Sequence, residues 1–369
     1  MKNEIWSWIG DLSQVAGIKH YELRSGRAKG TEAFDVRTGA GLAFTVVKDR
    51  ALDIAWASYK DTALSFITPN GIVAPAFFES QGNGFLRSFY AGLLTTCGLS
   101  YIGTPCEDEG ETLGLHGRLA ATPAEEVGYR TERTDDGIEF VINGKVRETR
   151  LFGENLTLER TIRCRYGENV LRIEDKVTNH GFTRQPLQIL YHFNYGWPLL
   201  SPQAEILLSA KSVTPRTPHA AEGLTSHLEI CTPQPGFDEQ VYYLTLNSDS
   251  QGMSKVALVN AELGWGIYEK FDTMQLPNFI QWKNLGAGEY VMGLEVSNSF
   301  PDGRDKERAQ GRLPFIEPGE TKKYCFELGI VDGDAEMSAL KAEIAGYREL
   351  TAIKTPGSVN RPGVDYVLC

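Results

Sequence analysis

The sequence predicts a mainly β protein, folded as one large, mostly antiparallel domain. The chain of 369 residues contains 38 glycines and 17 prolines, which separate many short apolar runs. Short apolar runs between turn residues are typical of antiparallel β proteins and unlike helix bundles. Neither a long linker nor a composition break divides the chain, and no repeat of roughly 20–50 residues stands out. We therefore expect a single domain over residues 1–369.

Helical periodicity is found near the two ends of the chain. Apolar residues at positions 5, 9, 12 and 15 precede Gly17, which predicts an N-terminal helix over residues 1–17. Asp334 can cap a C-terminal helix over 334–350, in which apolar positions 337, 340, 344 and 347 share one face. Residues 351–369 follow as a tail. We expect both helices to pack at the edge of the β domain.

Residues 156–177 give the clearest strand pattern. Apolar residues alternate on both sides of a turn at 166–169, which predicts a hairpin. If residues 165 and 170 pair, Arg160 faces Asp175 within the apolar phase of the two strands. A buried charge needs a partner, so we predict an ion pair here. A structural pair that holds the register is the simpler interpretation, and a role in lining a cleft is the alternative.

Residues 212–239 have the least regular pattern. Prolines at 215, 218, 233 and 235 interrupt this segment. A long loop within a compact domain is often functional, for example as a flap over a site.

Composition excludes several classes of function. The net charge is −11, from 37 basic and 48 acidic residues, and no basic patch stands out. Nucleic acids and anionic membranes are therefore not expected partners. The six cysteines form no CxxC pair, which disfavours a metal cage or a disulfide scaffold. The N-terminus lacks a secretory pattern, and no apolar run reaches the roughly 20 residues that span a bilayer, so we expect a cytoplasmic protein.

Three segments carry candidate functional residues. The first runs from FLRSFYAGLLTTCGL, which contains Arg87, to Gly114-Leu-His-Gly-Arg118. Glycines on both sides of His116 leave its ring open to a ligand and allow close backbone approach. A turn histidine that bonds only to backbone is the structural alternative.

The second segment is LYHFNYGWP, residues 190–198. On a strand, His192 and Asn194 point to one side, and the aromatic residues Tyr191, Phe193 and Tyr195 to the other. Sugars need flat apolar surface and a few placed polar groups, so this segment suits a carbohydrate. An aromatic core strand with a satisfied histidine is the alternative.

The third segment joins Ile280-Gln-Trp-Lys283 to GLEVSN, which contains Glu295. Met292 and Glu295 fall in opposite phases of the strand, so Glu295 need not face the core. A carboxylate in these apolar surroundings has a raised pKa, which suits a general base. An ordinary outward-facing glutamate is the alternative.

Other catalytic patterns are missing from the sequence. It contains no GxSxG elbow, HExxH or P-loop. We expect no cofactor and no metal, although a metal site formed by His116, His192 and Glu239 stays open as an alternative.

The order of FLRSF, GLHGR, YHFNYG and GLEVSN resembles the aldose 1-epimerase (galactose mutarotase) superfamily, particularly its less-characterised aldose 1-epimerase-like branch. The resemblance covers roughly residues 35–330. It implies a large antiparallel β-sandwich with an open cleft across one sheet, and an isomerase that needs no cofactor.

The resemblance also implies a role for each matched residue. Glu295 is the general base for the anomeric hydroxyl, and His192 is the general acid for the ring oxygen. His116 and Arg87 hold the substrate. Opening a hemiacetal requires one group that takes a proton and one that gives a proton.

One departure from the superfamily pattern concerns the substrate. The better-known mutarotases carry an aspartate between the second histidine and the glutamate, and here Glu239 is the nearest candidate. We expect Asn194, Glu239 and Trp282 to bind substrate. Arg118 and Lys283 add positive charge near the expected cleft, so we hypothesise an acidic or otherwise modified monosaccharide.

The sequence is also compatible with two other functions. The same site can abstract a C–H proton, which gives an epimerase or β-eliminating lyase acting on a keto-sugar. The chain can also be a non-catalytic carbohydrate-binding protein. Whether it forms a homodimer is likewise open.

Overall fold

A computed structural model describes residues 5–351, with the side chains of residues 5–347, and consists mainly of antiparallel strands. The strands are β1 Gly17–Glu22, β2 Glu32–Arg37, β3 Leu42–Val47, β4 Asp53–Tyr59, β5 Thr62–Ala63, β6 Phe66–Ile67, β7 Ala91–Gly92, β8 Leu94–Cys97, β9 Cys106–Asp108, β10 Glu111–Leu113, β11 Glu125–Thr134, β12 Gly137–Thr149, β13 Asn155–Arg165, β14 Val170–Asn179, β15 Gln185–Pro186, β16 Leu190–Gly196, β17 Ala204–Leu207, β18 Ala210–Pro215, β19 Gln240–Leu246, β20 Met253–Asn260, β21 Trp265–Asp272, β22 Asn278–Gly286, β23 Glu289–Ser297, β24 Phe315–Ile316 and β25 Thr321–Asp332. The helices are α1 Pro218–Glu222, α2 Arg304–Ala309 and α3 Asp334–Thr351. Short 3₁₀ turns lie at Ile5–Ser7, Leu12–Gln14, Gly26–Ala28, Pro75–Phe77, Gly84–Arg87, Leu119–Ala121 and Leu224–Ser226.

Two large sheets form the sandwich. The eleven-stranded sheet has the order β1-β2-β3-β4-β8-β16-β23-β22-β19-β18, with β5 paired to β4. The eight-stranded sheet has the order β11-β12-β13-β14-β25-β21-β20-β17. Apolar side chains from the facing sides of both sheets form one large core. The predicted antiparallel β-sandwich is confirmed.

The hairpin over residues 156–177 forms with the predicted register. Arg160 pairs with Asp175 across β13 and β14. The fully buried Arg160 donates to both oxygens of Asp175, at 2.9 and 2.7 Å, and to Asp53 at 2.7 Å. Tyr191 on β16 donates its hydroxyl to Asp175 from the opposite sheet. The predicted ion pair is confirmed, and it links the two sheets beneath the strand that carries His192.

The predictions of an N-terminal and a C-terminal helix have different outcomes. The C-terminal prediction is confirmed, because α3 packs its apolar face, which includes Leu340 and Ile344, against the eight-stranded sheet. The N-terminal prediction is wrong within residues 5–17, where two 3₁₀ turns replace the helix. Asp11 caps the second turn by accepting from the Ser13 N–H, which starts a new turn after Gly10. Residues 1–4 and the tail from 352 lie outside the described part.

The body of the proline-containing segment packs on the core-facing side of the large sheet and does not cover its other side. It contains the end of β18, helix α1 and a 3₁₀ turn. The Ser226 carbonyl accepts from Lys283, and His227 bonds with Gln281, on the inner side of β22. Within residues 5–351, no helix is long and apolar enough to cross a membrane.

Candidate active site

The register of the strands places the segment that contains Glu295 next to the segment that contains His192. In one row across the eleven-stranded sheet, Glu295 on β23 pairs with His192 on β16 and with Ile280 on β22. Tyr243 on β19 and Thr95 on β8 extend the row to either side. The aromatic neighbours of His192 face the core, so His192 and Glu295 face away from it. We call this side the outer face of the sheet.

The His192 and Glu295 side chains meet on this outer face. Nε2 of His192 lies 3.2 Å from Oε1 of Glu295, and the two side chains are only 7% and 4% exposed. Gly293 makes room for the carboxylate, because a Cβ there would lie 2.6 Å from Glu295 Oε1. The register thus brings a carboxyl group and an imidazole into contact where both are shielded from water.

His116 reaches the same place from a loop over the sheet. Its backbone has φ 60°, and its N–H donates to the Gly103 carbonyl at 2.9 Å. Its ring centroid lies 5.8 Å from that of His192. The glycine that follows is required, because a Cβ on Gly117 would lie 2.4 Å from the Gly98 carbonyl oxygen. The close backbone approach expected for the GLHGR motif is confirmed.

Three polar atoms of this cluster are buried without a hydrogen-bond partner among the described residues. They are Nδ1 of His116, Nδ1 of His192 and Oε1 of Glu295. The approach of His192 to Glu295 is close, but its geometry does not make an aligned hydrogen bond. Unpartnered buried polar atoms are rare in folded proteins and costly. Three of them at one point indicate a site that a polar ligand completes.

Aromatic side chains form the walls around the cluster. Trp282 and Phe89 lie 5.3 and 5.4 Å from the His192 ring, between centroids, and Phe85 lies 5.2 Å from His116. Trp282 also donates its indole N–H to Glu239 at 2.7 Å. The site therefore combines flat apolar surface with a few oriented polar groups, as a carbohydrate requires.

Burial shifts the ionisation of all three cluster residues. It raises the pKa of Glu295 well above its ordinary 4.5, and Glu239 adds to the rise while Arg216 opposes it. It lowers the pKa of His192 to about 3 and that of His116 to about 4, and nearby positive charge adds to both effects. The raised pKa predicted for Glu295 is confirmed in direction. Burial therefore favours the uncharged form of both residues, with the proton on Glu295 rather than on His192.

Three further polar residues, which the sequence did not identify, lie at the edge of the site. Tyr243 donates its hydroxyl to Asp302 at 2.6 Å, and Nε of Arg216 lies 3.3 Å from the same oxygen. Arg216 is close enough to influence the pKa of both His116 and Glu295. Arg216 follows β18 in the proline-containing segment. The irregularity of that segment was the only feature of the sequence that pointed to this residue. Nothing in the sequence pattern indicated Asp302.

Asn194 lies on the outer face in the next row, opposite Gly293. It is fully buried and donates to the His192 carbonyl at 2.8 Å, and its own Oδ1 has no hydrogen-bond partner among the residues that the structure describes. Glu239 and Trp282 also lie beside the cluster. The structure thus brings these three predicted binding residues together with the predicted catalytic ones.

Three predicted binding residues do not join the cluster. Lys283 points to the inner side of β22, because neighbouring strand residues alternate, and its ammonium donates to Ser226. Arg118 lies over the Tyr101 ring and 3.9 Å from Glu111. The Arg87 side chain is 73% exposed, with Glu79 as its ion-pair partner.

The alternative metal site has no support in the geometry. Among the described residues, no group of three or more His, Cys, Asp or Glu side chains is arranged to hold a metal ion.

Comparisons with known proteins place the chain in a family. A family model described as "Domain of unknown function (DUF4432)" matches residues 28–330, so the chain belongs to that family. Among curated proteins, no sequence matches the chain.

Solved structures give the wider superfamily. A Klebsiella pneumoniae protein, described as a "putative aldose 1-epimerase", is 26% identical with a TM-score of 0.86, over 94% of this chain and 91% of that one. A galactose 1-epimerase from Lactobacillus acidophilus is 12% identical with a TM-score of 0.57, over 86% and 99%. A galactose mutarotase-like protein from Clostridium acetobutylicum is 11% identical with a TM-score of 0.61, over 86% and 99%. The expected membership of the aldose 1-epimerase superfamily is confirmed.

Proposed function

We propose that this protein is an aldose 1-epimerase-like isomerase that interconverts the anomers of a neutral monosaccharide. The observation that carries the proposal is the cluster of His192, Glu295 and His116, in which three buried polar atoms have no hydrogen-bond partner within the described part of the chain. Ring opening and closing need one proton donor and one acceptor at the same time. A buried carboxyl–imidazole pair that shares a single proton supplies one of each.

The reaction returns the pair to its starting state. With the roles that the superfamily resemblance implies, Glu295 takes the proton of the anomeric hydroxyl and His192 gives a proton to the ring oxygen. The C1–O5 bond breaks as the C1=O1 double bond forms. After rotation about C1–C2, Glu295 returns its proton to the carbonyl oxygen, His192 recovers one from the O5 hydroxyl, and the ring closes. No proton or electron is gained or lost over the cycle.

These roles require the shared proton to lie on His192 once substrate is bound. Without substrate, burial favours the proton on Glu295 over His192. Substrate hydroxyl groups that donate to Glu295 stabilise the carboxylate, and Arg216 acts in the same direction. Nε2 of His192 lies 3.2 Å from Oε1 of Glu295, so a small rotation of either side chain would align them for proton transfer. His116 is a substrate-positioning group, because its neutral ring can donate to or accept from a sugar oxygen.

Charge near the cluster favours a neutral sugar over the acidic one hypothesised from the sequence. Lys283 lies on the other side of the sheet, and Arg118 has Glu111 beside it. Arg216 is next to the cluster, but Asp302 pairs with it. Glu239 adds a further negative charge. An anionic substituent would be repelled by these carboxylates.

Anomer exchange measured by NMR tests the proposal. We expect faster exchange for at least one of D-galactose, D-glucose and D-xylose, and a weaker effect on D-galacturonate. Glu295→Gln and His192→Asn should each remove the acceleration. Glu269→Gln is the matched control, because Glu269 is also a buried glutamate of raised pKa but bonds to Tyr195 in the core. Equal activity of wild type and Glu295→Gln would refute the proposed role.

The same experiment in D2O separates the alternative chemistry. Mutarotation exchanges only hydroxyl protons, whereas an epimerase or lyase that abstracts a C–H proton incorporates deuterium at carbon. Deuterium at C2 or C5 after incubation with a keto-sugar would replace the proposed reaction with proton abstraction by the same residues. Binding of aldoses without any acceleration would indicate a non-catalytic carbohydrate-binding protein.

A further inference from the structure

A cavity of about 550 Å³ lies over strands β1–β4, on the same outer face as the catalytic cluster. Two neighbouring rows of the sheet line it. The first row pairs Lys19 with Asp35 and Asp35 with Thr45. The second pairs Gly17 with Arg37, Arg37 with Ala43 and Ala43 with Ser58. Because the second row includes a glycine and an alanine, the sheet has open space between polar side chains.

Asp35 is held in a fixed orientation within this cavity. Its Oδ1 accepts hydrogen bonds from the Tyr21 hydroxyl at 3.0 Å and from the Thr45 hydroxyl at 2.6 Å. In the described part of the chain, Oδ2 has no such donor. A carboxylate with one oxygen held and the other free is ready to accept from a ligand hydroxyl group.

Trp56 supplies an aromatic surface in the same cavity. The pairing of β3 with β4 shifts register between Phe44 and Val46, and Trp56 lies opposite this irregularity. A bulge of this kind redirects a side chain, and Trp56 points outward with 41% of its surface exposed. An exposed tryptophan next to oriented polar groups is a recurrent feature of ligand-binding surfaces.

Charge balance defines the class of ligand. Lys19 and Arg37 contribute two positive charges to the lining, and Asp35 and Asp61 contribute two negative ones. A strongly charged ligand gains nothing from such a surface. A neutral, hydroxyl-rich ligand with a flat C–H face matches both the tryptophan and the polar groups.

We propose that this cavity is a second, non-catalytic binding site for a neutral saccharide. Trp56 stacks on the C–H face of a sugar ring, and Oδ2 of Asp35 accepts from its hydroxyl groups. The cavity is separate from the catalytic cluster but lies on the same face. Ser65, which lines it, pairs with Tyr195 on β16, three residues beyond His192 and so roughly 10 Å along the strand. The proposal does not depend on the acid–base chemistry of the cluster.

Ligand-observed NMR and titration calorimetry test the second site with D-galactose, D-glucose, lactose and maltose. The measurements use Glu295→Gln protein, so turnover does not affect them. We expect Trp56→Ala and Asp35→Asn to weaken binding of at least one of these sugars about fivefold, the effect of losing one good contact. Trp8→Ala is the matched control, because Trp8 is 84% exposed and lies outside the cavity.

Two results would overturn the proposal. One is the lack of any Trp56-dependent binding of the four sugars while Trp56→Ala keeps the wild-type circular dichroism spectrum. The other is a dimer, seen by sedimentation velocity, that Trp56→Ala dissociates, which would assign this face to a second copy of the chain. In a wild-type background, Trp56→Ala should leave anomer exchange unchanged, so failure of the second site and failure of the proposed function are distinguishable.

Discussion

Replacing Gly293 with alanine perturbs Glu295 without removing any functional group. A Cβ at this position would lie 2.6 Å from Glu295 Oε1 and 2.9 Å from the Trp282 Cβ. Since ordinary contacts begin near 3.4 Å, the carboxylate must move by about 0.8 Å if it alone gives way. Trp282 is backbone-paired at this position and has little freedom to move. We therefore expect the carboxylate to shift relative to His192.

The expected effect on activity follows from this displacement. A misplacement of about 1 Å can reduce the rate of an enzyme about 100-fold. Stability should fall by about 1–3 kcal/mol, which is the usual effect of overpacking a filled site. The Gly293→Ala protein should thus remain folded while losing most of its ability to accelerate anomer exchange.

NMR exchange rates at saturating aldose, together with urea unfolding, measure both quantities. Gly128→Ala is the matched control, because Gly128 is also a strand glycine but its Cβ would meet the Asn143 side chain at an ordinary 3.4 Å. Gly128→Ala should keep wild-type exchange rates. Wild-type rates in folded Gly293→Ala would show that the position of the Glu295 carboxylate does not limit the reaction, and would refute the reasoning.

Three other predictions concern ionisation and the buried ion pair. Arg160→Leu leaves the Asp175 carboxylate buried without its cation, so urea unfolding should show a loss of about 3–5 kcal/mol; a loss below about 1 kcal/mol would contradict this. The pKa of His192 is about 3 in the folded protein and near 6.5 in the unfolded chain. Its contribution to the free energy of unfolding is therefore fully present above pH 6.5 and is lost as the pH falls towards 3. Between pH 7 and 5 the free energy of unfolding should therefore fall by about 2 kcal/mol less in His192→Asn than in wild type; parallel pH curves would argue against it. Arg216→Gln removes a positive charge that lowers the pKa of Glu295, so the alkaline limb of the rate–pH profile should move to higher pH. An unchanged alkaline limb would show that the charge of Arg216 does not affect ionisation in the site.

Much of the site could be predicted because the relevant information is local. Strand alternation correctly separated His192 and Asn194 from their aromatic neighbours. The same alternation puts Trp282 and Lys283 on opposite faces of β22. The prediction that both residues bind substrate was made without applying this rule. Arg216 and Asp302 could not be found, because they belong to distant irregular segments whose meeting leaves no periodic pattern.

The sequence by itself determined the antiparallel β class, the hairpin that pairs Arg160 with Asp175, and the C-terminal helix. These features depend on spacings of two or about 3.6 residues, which short stretches of chain contain. Only the tertiary structure decided that His116, His192 and Glu295 share one site, that the N-terminal segment forms 3₁₀ turns, and that Asp302 pairs with Arg216. The physical reason is that alternation tells which neighbours share a face. The face that becomes buried, and the strands that lie side by side, depend on packing between residues far apart in the chain.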